Sequence, residues 1–273
     1  MNSTILGAAR HDLTPDDLAA WHRDGWLLIP EVLGDSAITE LRRWVDDVAA
    51  RRPGDGGVLQ HYERTATGVA LARSERLVEL HDGWRTLLTD GALPAMAGAL
   101  LAEPAVLYKE KINYKLAGGA GFAAHQDAPA YPFVDTHLTV MVAIDDATID
   151  NGCLEVVSGM HADLLALDDD GCIHPDVAAG LDFRPLAVRA GDVVWFHSRA
   201  PHRSGRNGSD LMRRALFCTY NAARLGDLRT AYYDHKLTYF AEHGAGTARL
   251  STIGDFQGVA PTDEELREIG VLP

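Results

Sequence analysis

Apolar and polar positions along the chain follow two regimes. In the first hundred residues the apolar positions recur mostly at helical spacing. Thr14 reads as a helix cap, with Pro15 at the first helical position and Asp17 three residues on, and the helix carries Leu18 and Trp21 to Gly25. Trp26-Leu27-Leu28-Ile29 reads as a short strand closed by Pro30. In 36–51, Ile38, Leu41, Val45 and Val48 share one face and charge occupies the other, which predicts a second helix. The glycine-rich 52–57 reads as a loop, the polar 60–64 as a connection between helices, and 93–101 as a further helix.

After Pro104 the runs shorten and become β-prone: 106–116, 138–144, 154–157, 186–188, 193–196 and 215–220. Turn signals separate them, among them Gly118-Gly119, Asp150-Asn151-Gly152, Gly191-Asp192 and Asn207-Gly208. Short strands without interleaved helices predict an antiparallel sandwich or barrel, not βαβ units. Asn151-Gly152 predicts a tight hairpin. Thr262 with Glu265 makes a capping box for a last helix. The expected organisation is one domain over 1–273, mainly β with flanking helices. It has a helical N-terminal part at about 12–101, a β core at about 104–222 and a C-terminal extension at about 223–273.

Composition narrows the partners. The formal net charge of −14 and pI near 5.2 disfavour nucleic acid and anionic membrane, and favour a small-molecule substrate, a cationic one above an anionic one. Cys153, Cys172 and Cys218 are far apart and odd in number, which argues against a disulfide framework or zinc finger. No signal-peptide pattern opens the sequence and no apolar run approaches the ~18 residues of a membrane span, so a cytoplasmic location is expected. Oligomeric state stays open.

The candidate chemistry starts at His125-Gln126-Asp127. In an extended strand residues i and i+2 face one side, so His125 and Asp127 can offer a nitrogen and an oxygen to one metal. A third ligand must come from elsewhere, and His202, after the strand-like 193–196, is the best placed, with His197 competing. Two histidines and one carboxylate leave coordination positions open, the arrangement of non-haem Fe(II) oxygenases. Arg213, with the strand-like 215–220 after it, can point a guanidinium into the barrel and fork onto a carboxylate. A chelating α-keto acid such as 2-oxoglutarate needs such a cation for its far carboxylate, and Ser204 can add a hydroxyl.

Collinear stretches carry a resemblance. They are Asp24-Gly25-Trp26-Leu27-Leu28-Ile29-Pro30, Lys111-Ile112-Asn113-Tyr114-Lys115, His125-Gln126-Asp127, Asn151-Gly152-Cys153-Leu154 with Ser158-Gly159-Met160-His161, Gly191-Asp192-Val193-Val194, and His202-x-Ser204-Gly205 with Arg213. With these the chain resembles the phytanoyl-CoA dioxygenase-like group of Fe(II)/2-oxoglutarate oxygenases over nearly its whole length. The resemblance implies a double-stranded β-helix (jelly-roll, cupin-like) core and O2 as co-substrate. It implies iron on His125, Asp127 and His202, and the 2-oxoglutarate tail on Arg213 and Ser204. Further co-substrate contacts are expected from Asn113 or Lys111 and from Thr139 or Met141, and Arg214 is the alternative to Arg213. Because Asp127 is a carboxylate, oxidation of a C–H bond is favoured over the halogenation of relatives that carry a small residue there.

The substrate is less legible. The absence of a basic cluster disfavours an acyl-CoA. The reading favoured is hydroxylation or oxidative cyclisation of a small polar natural product, an aminoglycoside-like antibiotic intermediate, with an aminoalkyl phosphonate as the alternative. A non-redox cupin-like metal-binding protein, or a zinc hydrolase on the same triad, is the other class, and Arg213 argues against both. Several residues have plainer readings. His61 reads as part of a surface loop or the substrate entrance, His161 as a turn residue, and His137 as solvent-facing. Tyr131 and Phe133 are expected to stack on substrate or pack in the core. Asp168-Asp169-Asp170 reads as a solvated loop, and 118–121 as a flexible loop over the iron.

Overall fold

A computed structural model describes residues 12–243 and 252–272. The first eleven residues, on which the signal-peptide reading rests, lie outside the described residues. Helix α1 (Pro15–Asp24), strand β1 (Trp26–Ile29) and helix α2 (Asp35–Ala49) open the chain. Strands β2 (Leu59–Thr65) and β3 (Gly68–Glu75), short helix α3 (Asp82–Arg85) and helix α4 (Ala92–Leu101) follow. Next come β4 (Ala105–Lys115), β5 (Phe122–His125), β6 (Leu138–Ala143), β7 (Leu154–Val156), helix α5 (Pro175–Ala178) and β8 (Arg184–Leu186). Strands β9 (Val193–His197), β10 (His202–Ser204) and β11 (Arg213–Ala222) precede helices α6 (Arg229–His243) and α7 (Asp263–Glu268).

Strands pair antiparallel into a seven-stranded sheet, β1-β9-β6-β11-β4-β3-β2, and a four-stranded sheet, β5-β10-β7-β8. Alternation explains how they stack. On β6, Val140 and Val142 face the helices, packing with Leu41, Val45 and Met96, while Met141 and Ala143 face the smaller sheet with Leu154, Val156 and Leu186. Both faces of the large sheet are therefore covered, and every residue of β6 is buried. Each large apolar side chain so placed contributes about 1.5–3 kcal/mol. A third cluster, with Tyr108, Tyr131 and Tyr232, seats α6 against the far end of the sheet. The jelly-roll expectation holds.

Three features depart from the sequence reading. The N-terminal part contains a β-hairpin, β2–β3, where only helices and a polar connection were expected. Its inner face carries the neutral His61 and the charged Arg73 and Glu75, so no apolar alternation marks it. Gly152 adopts φ 71° as its turn requires, yet the flanking strands β6 and β7 enter different sheets, and the turn is no hairpin. His137 is fully buried, against Tyr131, not solvent-facing. The capping boxes at Thr14/Asp17 and Thr262/Glu265 form as expected.

Candidate active site

Strand β5 ends at His125, and the chain turns there into a short 3-10 segment, Ala128–Ala130, with Asp127 helical at φ −68°, ψ −28°. His125 and Asp127 therefore do not share a strand face. Instead Gln126 turns away, donating to the carbonyls of Asp163 and Arg199, and the turn swings the Asp127 carboxylate back beside His125. Register does the rest: β10 pairs with β5 so that His202 lies opposite His125. The ligand atoms of His125, Asp127 and His202 lie within 4.8 Å of one another, all three residues buried. Asp127 Oδ1 is 3.8 Å from His125 Nε2 and 4.0 Å from His202 Nε2.

This donor set fits a ferrous ion. The Nδ1 of His125 is 2.7 Å from the carbonyl of Ala123 and that of His202 is 3.0 Å from the carbonyl of Ala200. A carbonyl only accepts, so each Nδ1 carries the proton and each Nε2 turns its lone pair toward the centre. Burial, then His125, pushes His202 down to about 4, which keeps it neutral. Burial works against ionised Asp127, but His202, Lys111 and His125 hold its carboxyl below the usual range. His197 is not the third ligand: its ring packs on Trp21 and His161.

A pocket opens beside the triad, lined by Phe196, Met141, Phe217, Leu154, Lys111, Asn113, Ser204 and Arg213, and by Asp255 and Phe256 from the tail. Arg213 is 7% exposed and points inward, its Nη2 donating to the Gly152 carbonyl at 2.9 Å. Arg214 points outward onto Asp145 and Asp46. Lys115, directly opposite Arg213 on β4, donates to Ser204 Oγ at 2.9 Å and to the carbonyls of Gly152 and Gly205. Gly152 is needed for this approach, since a Cβ there would lie 2.4 Å from the Gly205 carbonyl oxygen. Arg213, Lys115 and Ser204 together can hold the far carboxylate of a keto acid.

The remaining sequence candidates divide. Lys111, Asn113 and Met141 line the pocket, whereas Thr139, one of the expected co-substrate contacts, is not on its wall. Its hydroxyl donates to Asp127 Oδ2 at 3.0 Å and fixes that carboxylate. His61 is an inward residue of β2, its Nε2 3.9 Å from Glu75, not a loop residue. Tyr131 packs in the aromatic core and donates or accepts at Thr219. Phe133 is 43% exposed against His235. Asp168 spends its carboxylate on the backbone N–H groups of Asp170 and Cys172, as a solvated turn. The 118–121 segment is anchored, with Ala120 N–H on Glu63 and Gly119 N–H on the Leu116 carbonyl. His161 packs its ring over Gly25.

Comparison with known proteins settles the class. Residues 21–215 match the family described as Phytanoyl-CoA dioxygenase (PhyH). The chain belongs to this PhyH family. It is an Fe(II)/2-oxoglutarate-dependent dioxygenase. Among similar PhyH-type proteins, a methylphosphonate hydroxylase of Gimesia maris is 45% identical over 250 residues, 90% of this chain and 96% of that protein. A 2-aminoethylphosphonate dioxygenase of an uncultured bacterium is 35% identical over 232 residues, 83% of this chain and 88% of that protein. Of solved structures, the α-ketoglutarate-dependent epimerase SnoN of nogalamycin biosynthesis superposes with TM-score 0.64 at 25% identity, covering 76% of this chain and 82% of that one.

Sequence reasoning missed Lys115, Arg73, Lys109 and Asp255. Lys109 and Lys115 carried a signal: with Lys111 and Asn113 they alternate along a β-prone run, so the four share one strand face. Asp255 carried none, yet its Oδ2 lies 3.5 Å from His125 Nε2. Lys115 also sets a pH dependence. Burial, then Arg213, pushes its ammonium down to about 7. A carboxylate seated beside it favours the charged form, so binding above pH 7 takes up a proton, and KM for 2-oxoglutarate is expected to rise up to about tenfold per pH unit. The KM profile from pH 6 to 9, steep for wild type and flatter for Lys115→Gln, checks this.

Proposed function

We propose that the protein hydroxylates the carbon bonded to phosphorus in a small phosphonate, methylphosphonate in the first place. The similarity to the Gimesia maris methylphosphonate hydroxylase, 45% identity along nearly the full length of both chains, carries this reading. The 2-aminoethylphosphonate dioxygenase relative supports the same substrate class. Tailoring of an aminoglycoside-like compound, the reading first favoured from the sequence, rests on more remote likeness, such as the 25% identity to SnoN. The aminoalkyl-phosphonate alternative is therefore closer to the proposal.

The balance is one substrate, one O2 and one 2-oxoglutarate giving one α-hydroxyphosphonate, one succinate and one CO2. When bound, the iron would supply open coordination positions and one-electron redox chemistry, while the net electrons that reduce O2 come from the keto acid as it loses CO2 and from the substrate C–H bond. His125, Asp127 and His202 hold it from one side. Arg213, with Lys115 and Ser204, anchors the far carboxylate of 2-oxoglutarate and so orients its keto end toward the triad. Phe196, Phe217 and Leu154 line the pocket between with apolar surface and exclude water from the reacting carbon.

Phosphorus-31 NMR with parallel succinate detection tests the reading. Methylphosphonate is expected to yield hydroxymethylphosphonate in a 1:1 ratio with succinate, and 2-aminoethylphosphonate to react more slowly. Succinate formation stimulated by an amino sugar and by neither phosphonate would overturn it.

A further inference from the structure

The geometry points to a dedicated seat for the phosphonate group on the inner face of β3 and β4, built by Lys111 at the pocket wall with Lys109 and Arg73 behind it. This assignment rests on the phosphonate reading and names the residues that would recognise the substrate. Directly paired residues share a sheet face, and the register sets Arg73 opposite Asn113 and Glu75 opposite Lys111. The side chains bear this out. Arg73 Nε donates to Asn113 Oδ1 at 2.9 Å, and Glu75 Oε1 is 3.7 Å from Arg73 and 3.9 Å from Lys109. Lys236 from α6, fully buried, donates to the same oxygen at 2.6 Å. Glu75 thus holds several cations in fixed directions without matching their number.

The seat lies beside the metal site and apart from the keto-acid anchor. Lys109 stands opposite Thr219, and Thr219 opposite Thr139, whose hydroxyl holds Asp127. Two strand spacings are roughly 10 Å, a distance a lysine side chain largely bridges. Lys111 lines the same pocket as His125 and Asp127. Arg213 and Lys115 pair at the other end of β4, two register steps beyond Asn113.

Charge says what the seat awaits. Among the described residues this face buries or turns to the pocket six cationic side chains: Arg73, Lys109, Lys111, Lys115, Arg213 and Lys236. Four carboxylates accompany them, Glu63, Glu75, Asp127 and Asp255, leaving two positive charges when all are ionised. Ferrous iron adds two more. One dianion, 2-oxoglutarate, removes half of this excess, and a second dianion removes the rest. Burial, then Arg73 and Lys109, pushes Lys111 down to about 7, and a dianion seated beside it would favour its charged form. A phosphonate dianion in the pocket can take the Lys111 ammonium on one oxygen, while Lys109 and Arg73, buried behind the pocket wall, add attraction through space.

The test compares wild type, Lys111→Met and Lys111→Arg. Each is loaded anaerobically with Fe(II) and 2-oxoglutarate and titrated calorimetrically with methylphosphonate, and the visible charge-transfer band separately reports keto-acid binding. Lys111→Met is expected to weaken methylphosphonate binding about 10- to 100-fold, the worth of a charged hydrogen bond, with the band titration unchanged. Lys111→Arg is expected to restore most of the affinity. If Lys111→Met does not fold by thermal melting, Lys111→Gln carries the same expectation. Unchanged methylphosphonate affinity in the uncharged variant overturns the seat, as does a parallel loss of 2-oxoglutarate binding. Failure of the wild type to bind or turn over either phosphonate overturns the proposed function itself.

Discussion

Asp127→Ala protein is expected to retain less than about 1% of wild-type iron affinity and to form no detectable succinate. Asp127 is the one carboxylate of the triad, and its two oxygens divide the work: Oδ1 faces both imidazoles, and Oδ2 is fixed by the Thr139 hydroxyl. Even outer partners of metal ligands cost about 10- to 100-fold in affinity when removed, so loss of the ligand itself exceeds that. Two neutral imidazoles would remain, with the Asp255 carboxylate 3.5 Å from His125 Nε2 but outside the triad, and nearby Lys109 and Lys111 would repel the dication. Iron content after anaerobic reconstitution, with succinate release, checks the expectation. Full iron occupancy in the variant would remove the triad from the mechanism.

Arg213→Met is expected to raise KM for 2-oxoglutarate about 100-fold or more. Truncating one side of a buried, hydrogen-bonded charge pair costs about 2–5 kcal/mol, since the partner carboxylate is then left without a fork to meet it. Lys115 lies close by but already donates to Ser204 and two carbonyls, so it cannot take over both oxygens. Arg213→Lys should recover only part, because an ammonium is a point charge and the guanidinium a planar fork. Arg214→Met supplies the control. That side chain is spent on Asp145 and Asp46 at the outer surface, and KM should move by less than about threefold. Keto-acid titrations under anaerobic conditions and steady-state KM values distinguish the two arginines.

The triad was readable in the sequence for a partly mistaken reason. His125 and Asp127 do meet at one centre, but through a turn after β5, and the strand-alternation argument does not describe them. His202 was legible because Ser204-Gly205 and Arg213 follow at fixed distances, and those distances reflect one continuous structure, β10 leading into β11. Strand phase was legible in β6 only in part: Thr139 and Met141 share a face, yet Thr139 is absorbed by Asp127 and Met141 alone reaches the pocket. The β2–β3 hairpin was hidden because hydrophobic periodicity detects strands by what they bury from water. A strand whose buried face is made of His61, Arg73 and Glu75 carries no such mark. The acidic net charge likewise does not describe the pocket. It describes the outer surface, while the interior of the barrel is basic.

The tail segment that contributes Asp255 and Phe256 is stitched across the barrel mouth. The Ala123 N–H donates to the Asp255 carbonyl, Gln257 N–H to that of Gly121, and Arg64 N–H to that of Val259. A ribosome delivers β10 some fifty residues before it delivers this strap. For that interval a nascent chain can own all three iron ligands while the chamber around them still lacks a wall, so metal could be captured before the enzyme is able to shelter what the metal does.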